Sequence, residues 1–302
     1  MIQKITSPRF LIIASFTAVY LIWGATYILN LWSMVSFPPI FLAGSRFTAA
    51  GLIMAPFFVR KRSLPTLKQL RNALAMGLLM LGFGTGSVVY ALQFVDTGLT
   101  ALTVAFEPAI VVLLMWWILS SPPTSKTLLG VLLGISGMAV LVTQQNIITE
   151  ESTLLGFGLV LVALLSWAFG SIYLGRIDMP NSKGLSACIQ MLGAGVILII
   201  FSITVGEDIS GIWKAFDWRS MISWIVLVVF GSIIAYSAFN YLLLNTTPDR
   251  VATTTYVNPV VALILGWSLN DEVITNQSAI AALILLTGVF FINTSKHGLK
   301  KT

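Results

Sequence analysis

The stretch "FEPAIVVLLMWW", residues 106–117, sets a carboxylate, Glu107, and a helix breaker, Pro108, into a long apolar run. "YVNPVVALILGW", residues 256–267, repeats the pattern with Asn258 in the place of the acid. A carboxylate is expensive inside a bilayer. A proline inside a helix leaves the carbonyl one turn earlier without its amide partner; here those carbonyls are expected near Val104 and Thr255. Freed polar groups at membrane depth need a partner from protein or from water in a cavity. The two runs are therefore expected to border a hydrated pocket, with Pro108 and Pro259 as matching hinges.

The rest of the chain fits that setting. Of its 302 residues, 57% are hydrophobic and 9% charged, against about 25% charged in soluble domains; mean hydropathy is +0.93. This is the composition of an all-α integral membrane protein whose first partner is the lipid bilayer. The net charge of +6 is read as loop charge set by membrane topology, not as a nucleic-acid surface. Cys188 is alone and lies in an apolar run, so no disulfide framework exists, and it is read as a small core residue. His297 is the single histidine and sits in the basic tail. No ligand set for a metal is present, and no cofactor is expected. The apolar run after Lys4 and Arg9 has the length of a spanning helix and is read as retained, not as a cleaved signal.

Apolar runs bounded by charge, Pro or Gly place ten spans near 10–31, 39–59, 72–93, 97–119, 126–144, 154–175, 184–205, 219–244, 251–269 and 277–295. No loop is long enough to be a domain; the longest, near 206–218, is read as an interfacial turn with Trp213 and Trp218 at headgroup depth. Alternate loops divide the basic residues unevenly. One side holds Lys4, Arg9, Arg60, Lys61, Arg62, Lys68, Arg71, Lys126, Arg176, Lys183, Arg250, Lys296, Lys300 and Lys301; the other holds Lys214 and Arg219. Both termini are expected on the cytoplasmic side.

The two halves resemble each other. Offsetting the chain by 151 residues pairs Tyr90 with Tyr241, Thr103 with Thr254, Pro108 with Pro259, Trp116 with Trp267 and Gly137 with Gly288; an offset of 144 pairs Trp23 with Trp167, Gly51 with Gly195 and Phe57 with Phe201. Residues 10–144 and 154–295 are read as two repeats of five spans each. Because five is odd, the second enters the membrane the other way up. Two inverted five-helix repeats around a central cavity are a transporter architecture, with the site between the repeats near the midplane.

Within the predicted spans, the strongly ionisable residues are Arg46 and Glu107, each costing roughly 2.5–3.5 kcal/mol or more at the bilayer centre. They are expected to face the cavity or each other, either binding a zwitterion or merely fixing the packing. Their matches in the second half are neutral amides, Gln190 and Asn258. Helical spacing adds polar stripes: Thr100, Thr103 and Glu107 in span four; Thr254 and Asn258 in span nine; Tyr20, Trp23, Tyr27 and Asn30 in span one; Tyr236 and Asn240 in span eight; Tyr90 and Gln93 in span three. Trp23 and Trp167 stand out because they match across the repeat, and an aromatic-lined cavity suits hydrophobic or aromatic substrates. The glycines of "GFGTG" (82–86) and Gly130, Gly134 and Gly137 form small-residue faces, read as packing within one chain. The oligomeric state stays open, with a monomer favoured.

"IWGATYI", the Arg within "GSRFTAAGLI", "EPAIVVLLMWW" and "NPVVALILGWSLNDE" together resemble the EamA-type exporters of the drug/metabolite transporter superfamily over nearly the whole chain. One departure is visible: Asp271 and Glu272 follow the motif in the second half, while the first half reads "SSPPTS". The resemblance implies ten helices around a central cavity, a bacterial inner membrane, and export of small metabolites such as amino acids. No nucleotide-binding motif is present, so a secondary transporter working by alternating access is expected. Proton coupling, with Glu107 as the carrier, and simple facilitated efflux both remain open. The alternatives are an exchanger or importer of nucleotide-like or sugar-phosphate metabolites, and a non-transporting scaffold. An enzyme would need a catalytic constellation, which the spans do not offer.

Overall fold

The computed structural model describes residues 8–59, 64–95, 100, 103–142, 151–210, 212, 217–270 and 276–295. Among these, every regular element is a helix. In chain order they are α1 (Pro8–Met34), α2 (Pro39–Phe58), α3 (Leu67–Ala91), α4 (Glu107–Leu119), α5 (Ser125–Val142), α6 (Glu151–Leu174), α7 (Lys183–Thr204), α8 (Trp218–Asn245), α9 (Thr254–Asn270, after a single helical turn at Pro248–Ala252) and α10 (Asn276–Thr294). Several starts are written in local sequence. Thr66 and Gln69 form a reciprocal capping box at α3, and Asp217 accepts from the Ser220 amide at α8, each satisfying amides that a helix start leaves open. The start of α2 is capped from afar: Glu207, after α7, accepts from the amides of Ile40 and Phe41 at 2.9 and 2.8 Å. A carboxylate at a helix N-terminus also complements the macrodipole.

Among the described residues, seven helices are long and apolar enough to cross a membrane, counting α9 with the turn before it; α4, α5 and α10 have shorter apolar stretches. With 13 residues, α4 spans about 20 Å at 1.5 Å per residue, less than the ~30 Å hydrocarbon core. The outer surface is oily, with Leu113, Trp117 and Phe290 exposed, as expected where the surrounding solvent is lipid. Trp218 is exposed at the first residue of α8, while Trp213, Asp271 and Glu272 lie outside the described residues.

Helices α2 and α7 pack along one another, as do α5 and α10; α1 packs on α8 and α9, and α6 on α3 and α4. Glycine makes the first two pairings close. A Cβ on Gly195 would stand 2.5 Å from the Thr48 amide nitrogen, and one on Gly288 would stand 2.8 Å from the Gly130 carbonyl. Gly130, Gly134 and Gly137 thus meet α9 and α10 of the same chain.

The backbone breaks differ from the expected pair of proline hinges. Pro108 stands in the first turn of α4, where its missing amide costs no hydrogen bond. The chain turns just before it, at Ala105 and Phe106, with the Phe106 amide donating to the Thr103 carbonyl at 3.1 Å. Pro259 lies inside α9, beyond a break at Thr253 whose carbonyl accepts from the Tyr256 amide at 3.1 Å. The stripe Thr100–Thr103–Glu107, which assumed an unbroken helix, is interrupted for the same reason. The spacing also gave no sign of two wide-turn (π-type) segments, Leu78–Gly86 in α3 and Leu227–Ile234 in α8.

Candidate functional site

A cavity of about 110 Å³ opens where α1, α2, α3, α4, α6, α8 and α9 converge. Trp23, Tyr27, Arg46, Glu107, Trp167 and Asn258 line it, with Asn30 and Tyr236, so eight of the residues singled out in the sequence come together. Arg46 and Glu107 are each 6% exposed, and among the described residues no ion pair joins them. Instead, Arg46 Nη1 donates to Asn30 Oδ1 at 3.2 Å, and its guanidinium lies 4.6 Å from the Phe47 ring centroid. Arg46 Nε is buried without a hydrogen-bond partner, as is Asn258 Oδ1. Unpaired polar atoms buried away from water cost free energy, and here they border the space a ligand or water can occupy.

The tryptophans close one end. Trp23 and Trp167 meet edge to face with centroids 5.4 Å apart, and both rest on Phe239, at 4.9 and 5.2 Å. Beyond them lies a buried apolar cluster containing Val19, Met76, Leu174, Leu242 and Val251. It seals the side on which α1 begins and α8 ends. Each tryptophan sits against the wide-turn segment of the other half. Trp23 Nε1 donates to the Gly231 carbonyl in α8 at 3.2 Å. Trp167 fills the space beside Gly84 in α3, where a Cβ would come within 2.6 Å of its Nε1. A wide turn exposes carbonyls that a regular helix keeps bonded, and such segments are common at functional sites.

Five of the singled-out residues are placed elsewhere. Tyr90 lines a lateral apolar groove between α3, α6 and α7 and packs edge to face with Phe94. Gln190 is fully buried behind the cavity wall; its Oε1 accepts from the Tyr236 hydroxyl at 2.6 Å and its Nε2 donates to Ser186 Oγ at 3.0 Å. Asn240 donates to the Tyr236 carbonyl within α8 at 2.9 Å. Thr103 precedes the α4 break and Thr254 is buried at the start of α9; neither lines the cavity, whereas Thr255 does. The turn at Ala105 and Phe106 separates Thr103 from Glu107, which periodicity alone does not reveal. Asn30 and Tyr236 are visible in the sequence as members of polar stripes, and Val104 and Thr255 as the positions one turn before the two prolines; Thr26 and Thr85 carry no distinguishing signal.

These features define a membrane protein, helical throughout its described residues, with a small, largely apolar cavity at its core into which a few polar groups converge. The description "EamA-like transporter family" matches residues 10–143 and again 154–294. "Uncharacterized inner membrane transporter YedA" of Escherichia coli K12 is 34% identical over 282 residues, covering 93% of this chain and 90% of that protein. "Uncharacterized transporter YoaV" of Bacillus subtilis 168 is 27% identical, covering 94% and 97%. "Probable amino-acid metabolite efflux pump" of Escherichia coli K12 is 25% identical, covering 90% and 91%. A solved crystal structure aligns with TM-score 0.76 at 18% identity, over 95% of this chain and 97% of its own, which shows a shared fold. The chain belongs to the EamA-like transporter family and is a membrane transporter.

Proposed function

We propose that the protein exports small organic metabolites, amino acids or similar amphiphiles, by alternating access between two inverted five-span repeats, with both termini in the cytoplasm of a bacterium. The observation that carries this reading is the cavity's polar set. A guanidinium (Arg46) and a carboxylate (Glu107) from the first half, unpaired with each other, share walls with the unpartnered amide oxygen of Asn258 from the second. Separate plus and minus ends suit a zwitterion, and Trp23 and Trp167 offer its apolar part a surface. The reciprocal packing, α1 on α8 and α9 against α6 on α3 and α4, supports the repeat. So does the family match to each half.

At about 110 Å³ the cavity is smaller than the roughly 300–1,000 Å³ typical of ligand sites. The state is a contracted one, and the tryptophan barrier has to part for passage. A single buried arginine disfavours multiply charged nucleotide or sugar-phosphate cargo. The test is counterflow in proteoliposomes. Preloaded substrate, drawn from a panel of amino acids, their toxic analogues, purines and dyes, should drive saturable uptake of its labelled form. Overexpression should relieve the toxicity of the same compounds. No saturable counterflow with any member of the panel refutes this substrate class.

A further inference from the structure

A second pocket, of about 520 Å³, lies at the end of the molecule where α1 begins and α10 ends, and it shares no lining residue with the central cavity. One wall is apolar: Ile12, Ile13 and Phe16 of α1. The other is polar: Thr247 and Arg250 around the start of the single turn before α9, with Tyr20 and Asn293. Arg250 is the focus. One Nη donates to the Ser295 carbonyl, its Nε is buried without a partner, and among the described residues no carboxylate pairs with it. Asp249, next in the chain, is fully buried and does not line the pocket. Thr247 Oγ1 is likewise buried and unpartnered, in a residue only 6% exposed. The pocket floor is already satisfied: the Tyr20 and Thr253 hydroxyls bond at 3.2 Å, and Asn293 Nδ2 donates to Thr253 Oγ1 at 3.3 Å.

A guanidinium with an idle donor and, among the described residues, no carboxylate bound to it, beside an idle hydroxyl, is suited to an oxyanion. Arginine presents fixed donors that match phosphate and carboxylate, and such charge-assisted bonds are the strong ones. The facing apolar wall demands that the oxyanion carry a hydrophobic body. Ile13 is 65% exposed, so the pocket is reachable from the side of α1.

We propose that this pocket is a second binding site, taking a phosphate- or carboxylate-headed amphiphile through Arg250 and Thr247. The source is either an anionic lipid headgroup or a soluble acid. The site rests on the membrane setting alone and not on the export reading.

The test is thermal unfolding of the full-length protein in nanodiscs. Adding phosphatidylglycerol to phosphatidylcholine discs is expected to raise Tm by about 3 °C at tenfold excess over Kd. Arg250→Gln should abolish the rise. Thr17→Trp should do the same by filling the pocket from the exposed face of α1 without removing the bond of Arg250 to Ser295. If phosphatidylglycerol has no effect but a soluble amphiphilic acid, hexyl phosphate, stabilises the wild type and neither variant in phosphatidylcholine discs, the site is confirmed and its ligand is soluble. The proposal is overturned if neither probe moves the wild-type Tm, or if the rise persists in both variants.

Discussion

Arg46 offers a test in which stability and function move in opposite directions. The guanidinium is buried, holds one hydrogen bond to Asn30 and a contact with the Phe47 ring, and has no counter-ion among the described residues. A central arginine costs about 2.5–3.5 kcal/mol on insertion scales. Replacing it by Met removes that cost and forfeits roughly 0.5–1 kcal/mol of cation–π attraction. Arg46→Met alone leaves Asn30 Oδ1 stranded, at about 1–3 kcal/mol, so its net effect is near zero. In Arg46→Met/Asn30→Leu both partners of the hydrogen bond go, which is nearly neutral for that bond. The double variant should be stabler by about 1.5–3 kcal/mol, a Tm rise on the order of 3–8 °C. Thermal unfolding in nanodiscs reads the first half and proteoliposome counterflow the second. If the charge serves the proposed transport, counterflow should fall by at least tenfold. A double variant that melts below wild type would show that Arg46 fixes the packing. One that transports at the wild-type rate would remove it from the substrate's path.

Glu107→Gln keeps the shape of the cavity and removes its carboxyl group; if that group carries a coupled proton, any pH-gradient drive should vanish while counterflow remains, and an unchanged pH profile would assign coupling elsewhere. Trp23→Phe loses the hydrogen bond to the Gly231 carbonyl, about 1 kcal/mol, whereas Trp167→Phe has no such bond to lose. Accessibility of a cysteine placed in the cavity to an impermeant thiol reagent should therefore change about fivefold in the first variant and much less in the second; equal shifts would contradict the barrier described. Gly195→Leu drives a side chain into the α2 backbone and should cost about 1–3 kcal/mol or more, lowering Tm, while the same change at Gly158, with open space around it, should not.

The sequence by itself determined the medium and the helical class, because apolar composition and run length follow from the bilayer's thickness and from its lack of hydrogen-bonding solvent. It also singled out Arg46 and Glu107, since a charge in such a run has few tolerable surroundings. Matching residues across the halves brought Trp23 and Trp167 forward in the same way. Only the tertiary structure decided which polar residues share the cavity. Tyr90 and Thr254 satisfy the same spacing rules as Tyr27 and Asn258, yet neither lines the cavity: a wide turn precedes Tyr90 in α3, and the short turn at Thr253 leaves Thr254 buried at the very start of α9 while Thr255 and Asn258 face the pocket. The roles of the two prolines were hidden likewise: one begins a helix and the other lies within one, a difference set by where the preceding turn closes. Periodicity describes a face relative to its own helix axis. Which face meets which is fixed by the packing of helices far apart in the chain, such as α2 on α7 through Gly195, and no local spacing encodes that.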